Sequence, residues 1–230
     1  MPESTLTRRG SLLRLGGFLA AIVGAAGWKV ATSEGAGPAG VASGAVKCVL
    51  TPEMTEGPYY LPNEKVQRNI TEGRSGTPLL LHLTAVDAST CRPIKGAAVD
   101  IWHTDALGVY SGEAVESTVG QTFMRGIQRT NAHGLATFQT VYPGWYQGRT
   151  VHIHVKVHIG GNVVHTGQLF FRDALTDAVY RSSPYMGRPN RDTRNVTDSI
   201  YRNGGSKSLL SIRRRGSGYV GSIVMGVHRS

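Results

Sequence analysis

From residue 79 onward the chain alternates apolar and polar positions in short runs closed by turn residues. Six runs read as strands: 79–86, 97–103, 126–130, 135–141, 151–159 and 163–171. The strictest is 151–159, where Val151, Ile153, Val155, Val157 and Ile159 alternate with His152, His154, Lys156 and His158. Asn131-Ala132-His133-Gly134 and Gly160-Gly161-Asn162 are turn sequences between neighbouring runs. Period two therefore dominates this stretch, and no long 3.6-residue pattern competes with it. Short strands at this spacing predict an all-β fold, a β-sandwich of mostly antiparallel strands. Two later runs, 208–212 and 219–225, read as closing strands.

Composition changes this picture mainly at the two ends. The net charge is +10, a value that on its own suggests a nucleic-acid or membrane-surface binder. Residues 46–180 hold eleven basic and eleven acidic side chains, so the block with the best-defined strands is neutral. Residues 181–230 hold ten basic and two acidic side chains, including Arg213-Arg214-Arg215. No interleaving of aromatic and basic residues accompanies them, so nucleic acid is not an expected partner.

The remaining excess lies in residues 1–45. Arg8-Arg9 precede a stretch of about 14 mostly apolar residues, short of the roughly 20 that a spanning helix needs. A basic start, a modest apolar segment and small residues after it read as a bacterial export signal of twin-arginine type. An uncleaved membrane anchor is the alternative. Residues 32–45 read as a linker, which leaves 46–230 as the folded domain with a basic C-terminal segment. The expected location is periplasmic or extracellular, with the export machinery as a partner. Cys48 and Cys91 are the only cysteines, and in an exported protein such a pair reads as one disulfide.

Candidate chemistry gathers around the strictest strand. Residues i and i+2 of a strand share a face, so His152 and His154 point one way and Val151, Ile153 and Val155 the other. Two imidazoles at this spacing can bind one metal ion, and can equally be polar residues on a solvated face. Two tyrosine-bearing loops lie nearby in sequence: 103–110, ending in Tyr110, and 143–149, which carries Trp145, Tyr146 and Arg149. Two phenols and two imidazoles make an N2O2 set. Phenolate oxygen favours a hard trivalent ion such as Fe(III) over structural zinc.

With those residues in view, the chain resembles the intradiol ring-cleavage dioxygenases, the catechol 1,2- and protocatechuate 3,4-dioxygenase type. The resemblance rests on six motifs in order: Thr55-Glu56-Gly57-Pro58-Tyr59-Tyr60, Val99-Asp100-Ile101-Trp102-His103, Gly108-Val109-Tyr110-Ser111, Pro143-Gly144-Trp145-Tyr146, Arg149-Thr150-Val151-His152-Ile153-His154 and Gly167-Gln168-Leu169. It covers residues 48–180 and is nearest to an exported branch of the family. It implies a sandwich with long active-site loops and one Fe(III) per chain held by Tyr110, Tyr146, His152 and His154. Tyr146 is then the ligand that a catechol displaces, and Arg149 and Gln168 flank the substrate ring. Tyr59, Tyr60 and Trp145 are expected at the substrate pocket. The implied partners are a catecholic small molecule and O2, and the implied product is of cis,cis-muconate type.

The chain departs from the cytosolic catechol enzymes in two respects. It lacks their long helical N-terminal dimerisation region, since the signal and linker take that space, and a homo-oligomer is left open as a partner. The short gap from Tyr146 to His152 trims the loop that shapes the pocket, which predicts a more open site for catechol or small substituted catechols. Two rival readings make different demands. A non-catalytic periplasmic ligand-binding module requires no iron. A zinc hydrolase built on His152 and His154 requires a third ligand and a base, for which Asp105 and Glu56 are the nearest candidates.

Overall fold

The computed structural model describes residues 48, 50–62 and 64–229. The export segment, the anchor alternative and the 32–45 linker lie outside the described residues. Among the described residues no helix is long and apolar enough to cross a membrane.

The strands are β1 (Pro78–Asp87), β2 (Ala98–Trp102), β3 (Arg125–Arg129), β4 (Leu135–Val141), β5 (His152–Ile159), β6 (Asn162–Phe170), β7 (Ser211–Arg215) and β8 (Gly218–Val227). They form two four-stranded sheets, ordered β4-β1-β8-β7 and β3-β2-β5-β6. Pairing is antiparallel except between β1 and β8, which run parallel. The all-β sandwich expected from the alternation is what the chain forms.

One face of each sheet supplies the core. Leu79, Leu81 and Leu83 of β1, with Ala136 and Phe138 of β4, are buried in one cluster with Val99 and Ile101 of β2 and Ile153, Val155 and Val157 of β5. Each such side chain removed from water contributes about 1.5–3 kcal/mol. Because side chains alternate, burying Ile153, Val155 and Val157 turns His152, His154 and Lys156 to the opposite face. Register then lines up one row across the second sheet: Arg125 pairs with Trp102, Trp102 with His154, and His154 with Gln168. That outer face is roofed by loops, so His152 and His154 are only 3% and 1% exposed. The solvated-face alternative therefore does not apply to them.

The C-terminal third corrects the sequence reading. Residues 208–210 precede strand β7, which starts at Ser211 and carries the three arginines; Ser208 ends a 3-10 turn, Gly205–Ser208. Two short helices, α1 (Asp173–Val179) and α2 (Ser199–Arg202), lie in a stretch with no apolar periodicity long enough to announce them. Cys48 and Cys91 are joined by a disulfide with their Cα atoms 5.4 Å apart, which ties the start of the described chain to the turn after β1.

Candidate active site

The site starts from β5. The Nδ1 of His152 lies 2.6 Å from the carbonyl oxygen of Thr150. A carbonyl only accepts, so this nitrogen carries the proton and Nε2 carries the lone pair. The Nε2 atoms of His152 and His154 face each other at 3.0 Å. Two nitrogens bound at about 2.1 Å to one ion and at right angles lie about 3 Å apart, so the pair has the spacing of neighbouring ligands. Burial, with the Arg149 cation second, pushes His152 down to about 3. Burial and then the neighbouring His152 hold His154 well below the usual imidazole range. Both rings are therefore neutral near pH 7, as metal ligation requires.

Two loops bring phenols to this pair. Asp105 accepts from the backbone N–H groups of Leu107 and Val109 and tightens the turn ahead of Tyr110. Gly108, at φ +80°, lets that turn press against the carbonyl of Trp145, where any side chain would collide. Tyr110 is thereby 3% exposed, and its hydroxyl is buried without a hydrogen-bond partner. The Tyr146 hydroxyl lies 3.4 Å from His152 Nε2. The Tyr110 and Tyr146 rings are 5.6 Å apart, and Tyr110 lies 6.4 Å from the His154 ring. Burial raises both phenols above their ordinary range; for Tyr110 the nearby Tyr146 adds to the shift, and for Tyr146 the Arg149 cation opposes it. Such phenols part with their protons only to a strongly attracting cation. Four side chains with two oxygens and two nitrogens thus converge, one of them a buried hydroxyl with nothing to bond. This set fits a hard, highly charged metal ion.

A polar frame holds the rim. Arg149 donates to Asp198 at 2.9 Å and to Gln168 Oε1 at 2.5 Å, and its third nitrogen stands 3.5 Å from His152 Nε2. Gln168, fully buried, donates in turn to the carbonyl of Thr55. For Asp198, burial works against the charge. The donated bonds from Tyr201 N–H, Thr150 N–H and Arg149 outweigh it and hold the carboxyl below its ordinary value.

The other expected pocket residues separate. Tyr59 stacks on Tyr110 at 4.3 Å and meets the edge of Tyr146 at 5.9 Å, so it belongs to the cluster. Tyr60, the residue after the turn at Pro58 and Tyr59, makes different contacts. Its hydroxyl donates to Asp100 and its ring packs on Trp102. Trp145 packs against the core with Arg188 over its ring at 4.8 Å, and it has no ring contact with the four converging residues. Neither acid suggested for a zinc site joins the histidines: Asp105 pairs with Arg74, and Glu56 with Lys156. Among the described residues no group of three His, Cys, Asp or Glu gathers.

Several residues here escaped the sequence reading. Trp102 stacks face to face on His154 at 4.8 Å and 8°. Gly57, at φ +75°, leaves room where a Cβ would stand 3.2 Å from His154 Cε1. Asp198 lies 49 residues from Arg149, and no local pattern links them. The motifs containing Gly57 and Trp102 were the available signal.

A family model described as Dioxygenase matches residues 55–184. A catechol 1,2-dioxygenase of Acinetobacter lwoffii is 30% identical over 101 residues, 42% of this chain and 32% of that protein. A chlorocatechol 1,2-dioxygenase of Cupriavidus pinatubonensis is 28% identical over 149 residues, 53% of this chain and 56% of that one. The chain thus spans about a third to a half of the curated relatives it matches. Among solved structures, an intradiol ring-cleavage dioxygenase from Tetranychus urticae is 38% identical with a TM-score of 0.74, covering 79% of this chain and 96% of that one. The dioxygenase domain of a carbohydrate-binding fusion protein from Streptomyces sp. SirexAA-E is 30% identical, with a TM-score of 0.62 over 79% of this chain and 100% of that one.

Proposed function

Because the chain belongs to the intradiol ring-cleavage dioxygenases, we propose that it holds one Fe(III) and cleaves the ring of a catechol with O2 to a cis,cis-muconate-type product. The observation that carries this reading is the convergence of the buried Tyr110 hydroxyl, Tyr146 and the 3.0 Å pair of Nε2 atoms. When bound there, Fe(III) would chelate the deprotonated catechol and prime its ring for attack by O2.

The chain's own residues divide the remaining work. Tyr110, buried and stacked under Tyr59, is the fixed phenol. Tyr146 sits at the half-buried edge of a loop; as the phenolate it would be with the metal bound, its Oη would accept one of the two protons a chelating catechol gives up, the other passing to solvent. Arg149 is fixed by Asp198 and Gln168 with a nitrogen toward the histidine pair, where it stabilises negative charge on the substrate as it develops. Tyr59 supplies an apolar wall for the ring. The short 146–152 connection supports an open mouth and small catechols as substrates. The disulfide supports an oxidising compartment, in keeping with export.

Purified protein should contain about one iron per chain and show a broad visible tyrosinate-to-Fe(III) band that shifts when catechol is added. Tyr110→Phe should lose most of that band and its oxygen uptake with catechol. Wild-type protein loaded with Fe(III) that shows neither band nor oxygen uptake would overturn the proposal. A strict preference for one carboxylated catechol over catechol and its small substituted forms would overturn the open-mouth part alone.

A further inference from the structure

Arg125 opens β3 at the end of the register row that carries Trp102, His154 and Gln168. It is 2% exposed, which is rare for a guanidinium unless its donors are satisfied. They are. Nε donates to Ser111 Oγ at 2.9 Å, Nη2 to the Ser111 carbonyl at 2.8 Å, and Nη1 to the Tyr59 carbonyl at 2.7 Å and to Glu64 at 3.3 Å. Glu113 stands 3.8 Å away. One side chain thus fastens two loops about fifty residues apart in sequence. The first carries Tyr59, and the second carries Tyr110 immediately before Ser111. These are the two rings that stack at 4.3 Å, and the guanidinium itself lies 5.9 Å from the Tyr110 ring.

The far side of Arg125 is anchored as well. Glu64, 3% exposed at its side chain, neighbours the buried carboxyl of Asp100, and burial, then that neighbour, raise its carboxyl. The second oxygen of Asp100 accepts from Tyr60, whose ring packs on Trp102, the residue stacked on His154. A chain of neighbouring side chains therefore runs behind the site from the Tyr59–Tyr110 stack through Arg125, Glu64, Asp100, Tyr60 and Trp102 to His154.

We propose that Arg125 is a positioning residue, whose forked hydrogen bonds to Ser111, Tyr59 and Glu64 fix the Tyr59–Tyr110 stack that forms one wall of the catechol pocket. The inference rests on the reading of that pocket given above, but its structural half is independent of any metal. A lysine keeps the charge and loses the fork, because an ammonium cannot serve Ser111, Tyr59 and Glu64 in fixed directions at once.

The test compares Arg125→Lys with the wild type by two measurements. In metal-free protein, amide hydrogen exchange of residues 57–62 and 108–113 should speed up at least about tenfold in the variant, while that of residues 135–141 stays unchanged. In Fe(III)-loaded protein, the tyrosinate band should shift and KM for catechol rise about tenfold, with kcat changing less than about threefold. Unchanged exchange in both loops would overturn the positioning role whatever the enzyme does. Faster exchange in a protein that binds no iron and cleaves no catechol would keep that role and overturn the pocket reading. Should Arg125→Lys unfold, Ser111→Ala decides: it removes one acceptor, and exchange unchanged in residues 108–113 would overturn the proposal.

Discussion

The two sheets are built from similar strands but bury different things. Sheet β4-β1-β8-β7 turns Leu79, Leu81, Leu83 and Phe138 inward, while His82 and Arg213 on its outer face reach solvent. Sheet β3-β2-β5-β6 is buried on both faces. Its inner face is Val99, Ile101, Ile153, Val155 and Val157, and its outer face holds Arg125, Asp100, Trp102, His152, His154, Lys156 and Gln168. A one-sided sheet needs only a pattern of alternation. A two-sided sheet also buries polar groups, and those left without partners, such as Trp102 Nε1 and His154 Nδ1, cost stability. Division of labour within one sandwich is the lesson: one sheet stabilises, and the other stabilises with one face and supports chemistry with the other.

The largest expected effect breaks this division at the chemistry. His152→Ala removes one of the two converging nitrogens. Iron content should fall well below one per chain and oxygen uptake with catechol by at least about a thousandfold, while the metal-free protein melts within a few degrees of wild type. Leu81→Ala should do the reverse. Leu81 is fully buried in the inner layer, and its truncation should cost about 2–5 kcal/mol in denaturant unfolding. The folded fraction should keep its iron and its kcat. A Leu81→Ala protein that stayed stable but lost iron would mean that the two sheets are not separable in this way.

How far the sequence carried this reading follows the same division. The inner faces were legible because they obey a period of two: 135–141 coincides with β4, and 151–159 with β5 to within a residue. The first of the two closing strands was read three residues early, at 208–212, because its apolar positions Leu209, Leu210 and Ile212 end where the three arginines begin. At a sheet edge, such a run is tolerated with the cations outward. The outer face was half legible. His152-x-His154 places two imidazoles side by side by geometry alone, whereas Tyr110 and Tyr146 needed the order of the motifs. Nothing in Arg125-Gly126-Ile127 marks a buried cation, and nothing in Tyr59-Tyr60 tells which ring faces the histidines. Burial of a charge is a property of its partners, here Tyr59 and Glu64 from one stretch of chain and Ser111 from another.

A smaller effect sharpens the comparison, because the two-sided sheet should also dominate the pH dependence of the metal-free protein. His103, beside the site, and His165 on β6 are pushed down by burial to about 4, and His152 to about 3. Their unfolded value is near 6.5, so each contributes stability that is present above pH 6.5 and lost as pH falls toward 4, about 1.4 kcal/mol per pH unit for each histidine. Glu64 has the opposite sign. Burial, and then the nearby Asp100 charge, raise it to about 9, so its contribution is complete below its unfolded value of 4.5 and is lost as pH rises to 9. Asp100, also raised by burial, acts in the same direction. Between 4.5 and 6.5 the histidines outnumber the acids and stability rises; above 6.5 only the acids still change and it falls. Urea unfolding of metal-free protein should therefore show greatest stability near pH 6.5. Glu64→Gln keeps the shape and removes the titration, so it should flatten the alkaline limb and steepen the rise between 4.5 and 6.5, where Glu64 opposes the histidines. On the other sheet His82 is half-buried and is lowered by burial and by Arg213, Arg215 and Arg68, so its replacement by Gln should alter the acid limb by less than one proton's slope. An acid limb that collapsed in His82→Gln would move the pH sensitivity to the sheet taken here as purely structural.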